Sequence, residues 1–404
     1  MLFSAVMEIL FGVLALLQIL VGAYLVFEGA KWLAYVRRRA GTDPGFYSPK
    51  TAVLCPCKGV EPGLERNLTA LCEFDHQNYE VFFVLASESD PAAGIVKRVA
   101  TQSRRKAHVV FAGAPLECGE KVNNLRVAIE QLPGDFEILV FADSDGRPGH
   151  EWLRKLTAPL VDSTIGATTT MRWLIPNNNA LPNLLLAAWN APILTMLGEN
   201  TGRNFCWGGG TAIRRSVLEQ AGVMEEWQHS VSDDYSMTIA LRRAGRPIVF
   251  LPECLIVSYV DTDFAGLMEF TNRQVSITRV YSPGLWAAAG ATHLLFCLTI
   301  TLGGLLMAAA LLAGRPVLQI VALTFLPLLL SSIRAAFRVT AVQEVLPRLK
   351  EQNQQQSWIH LLLGVGIPFL YAVNFAAAGL TRKIRWRGVR YELVSPQQTR
   401  ILSR

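Results

Sequence analysis

The chain has 404 residues, of which 51% are hydrophobic and only 17% charged, against roughly 25% charged in an average soluble protein; with its positive mean hydropathy this excludes a wholly soluble globule. The length accommodates one domain of about 250 residues and several membrane helices of about 20 residues each. The net charge of +6 sits beside apolar segments, at Arg37, Arg38 and Arg39 and again at Arg382, Lys383, Arg385, Arg387 and Arg390, which suits a membrane boundary better than a nucleic-acid-binding face.

Residues 6–27 are apolar apart from Glu8 and Gln18, long enough to cross a bilayer, and followed rather than preceded by cations. That order favours an anchor over a signal peptide and places residue 34 onward on the cytoplasmic side. Residues 49–284 alternate strands and helices. Strands are expected at 51–55, 81–85, 108–111, 138–142 and 246–251. Helices are expected at 64–74, 92–104, 122–132 and from about 231 to 245. Strands separated by helices of about 10–15 residues imply a mostly parallel α/β sheet, whose ligands bind beyond the carboxyl ends of the strands. Residues 181–197 are apolar but broken by Pro182, Asn190 and Pro192, and suit an interfacial segment beside a lipid or a core helix pair. Residues 286–313 and 317–333 read as membrane segments, and residues 334–356 as a polar cytoplasmic stretch. Residues 358–380 are apolar but carry Gly364, Gly366 and Pro368. A simple span would leave the basic tail outside. A segment bent at those residues would return it to the cytoplasm.

The chemistry concentrates at strand ends. Residues 138–148 read ILVFADSDGRP, a buried run closed by Asp143 and Asp145 one residue apart. Carboxylates converging in a turn suit a hard divalent cation, Mg²⁺ or Mn²⁺, that also binds phosphate oxygens; an Asp-Ser-Asp-Gly surface turn is the plain alternative. Lys58 and Asp90 also follow strand ends. The run Gly208-Gly209-Gly210 either lets backbone approach a ligand or makes a flexible turn. Ser232 or Asp233 can cap the helix that follows, which leaves Asp234 without a structural task. The seven cysteines are scattered with no metal-ligand spacing, as expected of reduced thiols in a cytosolic domain.

The ordered set Cys57-Lys58-Gly59-Val60-Glu61-Pro62, Ser89-Asp90-Pro91, Lys121-Val122-Asn123-Asn124-Leu125, Asp143-Ser144-Asp145 and Asp233-Asp234-Tyr235, behind an N-terminal anchor, resembles the ceramide glucosyltransferase family of inverting GT-A glycosyltransferases. It is also similar to bacterial hopanoid-biosynthesis glycosyltransferases. The resemblance implies Asp90 near the nucleotide base and ribose, Asp143 and Asp145 as the metal pair, and Asp234 as catalytic base. Lys58, Lys121, Asn124 and Arg273 join Asp90 and Asp143 as donor-binding residues. One motif departs. The family's Arg-Trp pair is absent at Ser276-Ile277, although Arg273 fits the motif's first position and Arg279 is a nearby cation.

The expected architecture is therefore an anchor at 1–33, a GT-A domain at 34–284, membrane segments at 285–381 and a basic tail at 382–404. The expected activity is transfer of a glucose- or N-acetylglucosamine-type sugar from a UDP-sugar to a ceramide-like or hopanoid lipid hydroxyl, at a multi-pass bacterial inner membrane, with no nucleic acid involved. A processive polysaccharide synthase is the nearest rival, and the missing Arg-Trp pair counts against it. A non-catalytic membrane scaffold would be expected to have lost an aspartate, and all are present.

Overall fold

The computed structural model describes residues 2–43, 45 and 47–404. The soluble domain is built on a seven-stranded sheet. Its strands in chain order are β1 (Thr51–Pro56), β2 (Tyr79–Leu85), β3 (Ala107–Phe111), β4 (Ile138–Ala142), β5 (Ala167–Thr169), then, after β6 (Arg172–Pro176), β7 (Gly210–Arg214) and β8 (Ile248–Phe250). The spatial order is β3-β2-β1-β4-β7-β5-β8. β7 alone runs antiparallel to both neighbours. Strand β9 (Ile256–Val260) pairs with β6 in a separate parallel ribbon.

Successive residues of the central strands point to opposite faces, and both faces are covered. Val53, Cys55, Val81, Phe83 and Val140 pack into one apolar cluster, while Ala52, Leu54, Phe82, Leu139 and Phe141 pack into another. Every residue of β4 is buried. This is why its sequence is a continuous apolar run rather than an alternating one, and why the chain meets water only at Asp143.

The expected helices form within a few residues of their expected bounds, at Leu64–Leu71, Ala93–Gln102, Glu120–Gln131 and Asp233–Arg243. The strand expected to be last is not last, because β9 follows it. The segment at 181–197 is one helix, Leu181–Leu194, rather than a helix pair. Most of its length is buried, with Trp189 only 1% exposed.

Four helices are long and apolar enough to cross a membrane. Helices Leu2–Ala40 and Leu318–Val345 lie side by side and parallel. Glu8 pairs with Arg315 at 2.8 Å at one end, and Arg37 with Glu344 at 3.2 Å at the other. The two pairs are 29 residues apart along the first helix (37 − 8). At 1.5 Å per residue this is about 43 Å, the thickness of a bilayer with its headgroups. Helix Pro283–Leu312 completes the group, with Gly303 close against Phe11 and Thr324.

Ile359–Leu380 does not bend back at Gly364–Pro368, and it is long and apolar enough to cross a membrane. A π-type turn, Ile359–Leu363, continues directly into helix Gly364–Leu380, a common way for a helix to absorb an irregularity such as Pro368. Both ends touch the soluble domain. Trp173 Nε1 donates to Asn353 just before the helix (3.0 Å), and Arg279 donates to the carbonyl of Ala378 near its end. One face, with Ile367, Tyr371, Asn374 and Ala378, is buried on the domain. Leu362, Phe369, Val373 and Leu380 form an exposed apolar stripe on the other. That stripe suits a helix lying along the membrane surface.

The basic tail is not a loose tail. Strands β10 (Lys383–Trp386), β11 (Val389–Ser395) and β12 (Gln398–Ser403) form an antiparallel sheet. Its Ile384, Val389, Tyr391 and Leu393 pack on Val231, Ile277 and Tyr281 of the soluble domain. The cations Lys383, Arg385 and Arg390 occupy the exposed alternate positions. The tail and the soluble domain therefore share one side of the membrane. A cysteine placed at exposed Ser403 should react with an impermeant thiol reagent under the same conditions as one placed at Ser163 on the soluble domain. The native cysteines are buried apart from Cys297, which is half-buried, and would be replaced as controls. Labelling of the two positions from opposite sides would overturn this topology.

Candidate active site

The parallel strands β1, β2 and β4 end on one edge of the sheet, and antiparallel β7 begins there, with Gly210 opposite Ala142. The edge thus collects the turn after β4, the glycines before β7 and the N-terminus of helix Asp233–Arg243. Lys121 stands at the centre. Its Nζ lies 2.7 Å from Asp143 Oδ1, 3.1 Å from Asp233 Oδ2 and 3.2 Å from the Gly208 carbonyl.

Burial alone would raise the Asp143 carboxyl, but the charge and hydrogen bond of Lys121 outweigh it and hold Asp143 below the usual carboxylate range. Burial pushes Asp233 up to about 6, with Asp234 and Asp143 adding to the rise and Lys121 opposing it. The glycine run is there for close approach. A Cβ at Gly208 would sit 2.1 Å from Asp233 Oδ2, and one at Gly209 would sit 2.6 Å from Asp143 Oδ2.

Asp145 points the other way from Lys121, toward Arg172 Nη1 at 3.2 Å, and its Oδ1 is buried without a hydrogen-bond partner. Asp234 is half-buried on the cavity wall. Its Oδ1 accepts from the Tyr235 amide (2.8 Å) and from the Ser232 hydroxyl, while Ser232 caps the helix. Asp233 is tied into the buried network by Lys121, and both Asp233 and Asp234 line the cavity; Asp234, read from the sequence as free of a structural task, also accepts hydrogen bonds at the start of the helix.

Lys58 and Asn124 also line the cavity. Lys58 Nζ pairs with Glu120 at 2.7 Å, and Asn124 Oδ1 is buried and unpartnered. Asp90 stands apart from the cavity wall. Its Oδ1 accepts from the amides of Gly59 (2.9 Å) and Ala92 (2.8 Å) and so joins the turns after β1 and β2. Arg273 lies over the rings of Phe270 (5.3 Å) and Trp386 (5.0 Å). Its burial, with Arg172 and Arg387 nearby, lowers its pKa to about 10. Arg279, the other cation expected near this motif, is directed away from the site to the Ala378 carbonyl. Ile277, where the family's Arg-Trp pair is missing, is buried under the tail sheet.

Two site residues were not anticipated. Arg172, at the start of β6, neutralises Asp145, and Arg387 reaches in from the tail. Burial and the charge of Asp145 push the Glu61 carboxyl up to about 7 against the pull of Arg387. The alternation of apolar residues and cations along 383–391 was the available sequence signal for the tail strands.

Asp143 and Asp145 fit a divalent cation of the kind that takes one or two carboxylates and completes its shell with substrate phosphates and water. The unpartnered Asp145 Oδ1 is the observation that favours this. Among the described residues no cluster of three or more His, Cys, Asp or Glu side chains offers an all-protein site.

Apart from Asp90 and Arg279, these groups line one cavity of about 1690 Å³. It runs from Asp143, Asp145 and Asp234 past Trp189 and Ile193 to Tyr24 and Leu25 of the first helix and to Ala289, His293 and Arg334 of the later ones.

An α/β sheet with a carboxylate-rich edge is joined here to helices long and apolar enough to cross a membrane. The chain belongs to glycosyl transferase family 21, whose pattern it matches over residues 13–399. It is 23% identical over 230 residues to ceramide glucosyltransferase 1 of Caenorhabditis elegans, a match covering 55% of this chain and 48% of the relative. The chain thus spans about half the length of that curated relative. Among solved structures it is similar to a mannosyltransferase from Pyrobaculum calidifontis in complex with GDP-Man and Mn²⁺, at 17% identity and a TM-score of 0.47, covering 91% of this chain and 98% of that one. It is also similar to a Mycobacterium tuberculosis glucosyl-3-phosphoglycerate synthase with Mn²⁺, UDP and glucosyl-3-phosphoglycerate, at 14% identity and a TM-score of 0.35, covering 61% and 82%.

Proposed function

We propose that this glycosyltransferase moves a hexose or N-acetylhexosamine from a UDP-sugar to a membrane-lipid hydroxyl, with inversion at the sugar carbon. The observation that carries this reading is the single cavity joining the aspartates of the sheet edge to the membrane helices. A soluble acceptor would have no use for its lower half. That half is walled by the Leu181–Leu194 helix and by the start of the helix at Pro283, through Leu186, Trp189, Ile193, Leu285 and Ala289.

Asp143 and Asp145 would hold a divalent cation, which when bound neutralises charge on the departing diphosphate. Arg172 pairs with Asp145 and holds it in place. Lys121 does the same for Asp143 and Asp233 through its two ion pairs. Asp234 takes the proton of the acceptor hydroxyl as its oxygen bonds to the sugar carbon and the bond to the diphosphate breaks. One displacement needs one base and no covalent nucleophile.

Arg37, Arg38 and Arg39 at the end of the first helix favour the cytoplasmic side for the soluble domain, where nucleotide sugars are made. The acceptor class is that suggested by the family resemblance, a ceramide-like or hopanoid lipid alcohol.

A photoreactive lipid alcohol should cross-link to residues 181–197 and 285–293 in membranes, with the label reduced by excess unmodified acceptor. Labelling confined to the outward faces of the membrane helices would overturn the lipid-acceptor reading.

A further inference from the structure

The loop between β10 and β11 is two residues long, because Trp386 pairs directly with Val389. Both loop residues have positive φ, +46° at Arg387 and +86° at Gly388, and Arg387 is the only non-glycine residue in that region among those described. Such a turn favours Asn or Asp at its first position, followed by Gly. An arginine folds the hairpin less well than asparagine would, so the turn itself gives no reason for it. Strained positions of this kind gather at functional sites.

The side chain is placed with care. Arg387 Nη1 donates to the Lys58 carbonyl and Nη2 to Glu61 Oε1, each at 2.5 Å. Both acceptors belong to the turn after β1. Arg387 lines the same cavity as Asp143 and Asp145 and interacts electrostatically with both. Its neighbour Trp386 lies 5.0 Å from the Arg273 guanidinium. The tail hairpin therefore presents a Trp-Arg pair to the helix that lacks the family's Arg-Trp pair.

We propose that Arg387 binds the diphosphate of the nucleotide donor, exchanging its contact with Glu61 for phosphate oxygens, so that the C-terminal sheet forms one wall of the donor site. The inference rests on the reading of the cavity as a nucleotide-sugar site. A guanidinium beside the metal-binding carboxylates can take two phosphate oxygens at once, which a lysine cannot.

The test is titration of the full-length protein in detergent with UDP and UMP in the presence of Mn²⁺. R387N suits the turn, so its melting temperature without nucleotide should match or exceed that of the wild type. Its UDP affinity should fall by about tenfold to a hundredfold, the loss expected for a bidentate charge-assisted contact, with a smaller loss for UMP. R387K retains the charge and the backbone strain and should fall between the two. R387N binding UDP within twofold of wild type, or losing UDP and UMP equally, would overturn the inference and leave the proposed function standing. A wild-type protein binding neither UDP nor GDP with Mn²⁺ would overturn the proposed function, and this inference with it.

Discussion

Replacing Asp234 by Asn should cut turnover by roughly 10²–10⁴-fold, the usual loss when a general base is removed, while nucleotide binding stays near wild type. Asparagine keeps the side-chain oxygen that accepts from the Tyr235 amide, and Ser232 still caps the helix, so the fold has no reason to suffer. What is lost is the ability to take a proton. Asp233→Asn is the informative companion. It leaves Lys121 paired with Asp143 alone in a buried site, which should cost about 1–3 kcal/mol, the price of leaving a buried polar group short of a partner. Its melting temperature should fall along with its activity. Near-normal turnover in the Asp234 variant would reassign the base, with Asp233 the first candidate. Single-turnover kinetics beside thermal melts separates the two cases.

Asp145→Asn should abolish most of the metal dependence of donor binding. Asp143 is half-consumed by Lys121, whereas Asp145 has a buried oxygen with no partner. Losing it should weaken metal-dependent UDP binding by at least about tenfold, since even outer-shell changes cost 10–100-fold in metal affinity. Binding without metal should change little. The measurement is UDP affinity with Mn²⁺ and again with a chelator, in both proteins. The same ratio of affinities in variant and wild type would remove Asp145 from the metal site.

The aspartates were legible in the sequence because each is announced locally. β4 is an unbroken apolar run that stops at Asp143, and Ser232 supplies a helix cap that leaves Asp234 unexplained. The carboxyl-edge rule then brings them together without knowledge of the remaining strands. The features that went unread depend on pairing between distant segments. β5 has three residues, too short for any periodicity. β7 follows glycines whose purpose appears only when Asp143 and Asp233 are seen beside them. Arg172 looks like any strand residue until Asp145 is opposite it. In the tail, charge drew attention from the alternation that makes Ile384, Val389, Tyr391 and Leu393 a buried face. For residues 358–380, apolar composition and length gave no sign that one side rests on protein. That depends on Trp189 and Asn374, which meet at 3.1 Å from 185 residues apart.

On the proposed reading, the part of the cavity lined by Tyr24, Leu25 and His293 would set how the two substrates are counted. The sugar nucleotide would arrive from three dimensions and be measured in moles per litre. A lipid entering between the helices would arrive by lateral diffusion and be measured as a mole fraction of its leaflet. Diluting the bilayer with inert lipid would then slow the reaction even when the total amounts of enzyme and acceptor are fixed. Adding solvent around the same vesicles would affect only the donor. The product would be released into the same two-dimensional pool, where it would compete with unreacted acceptor.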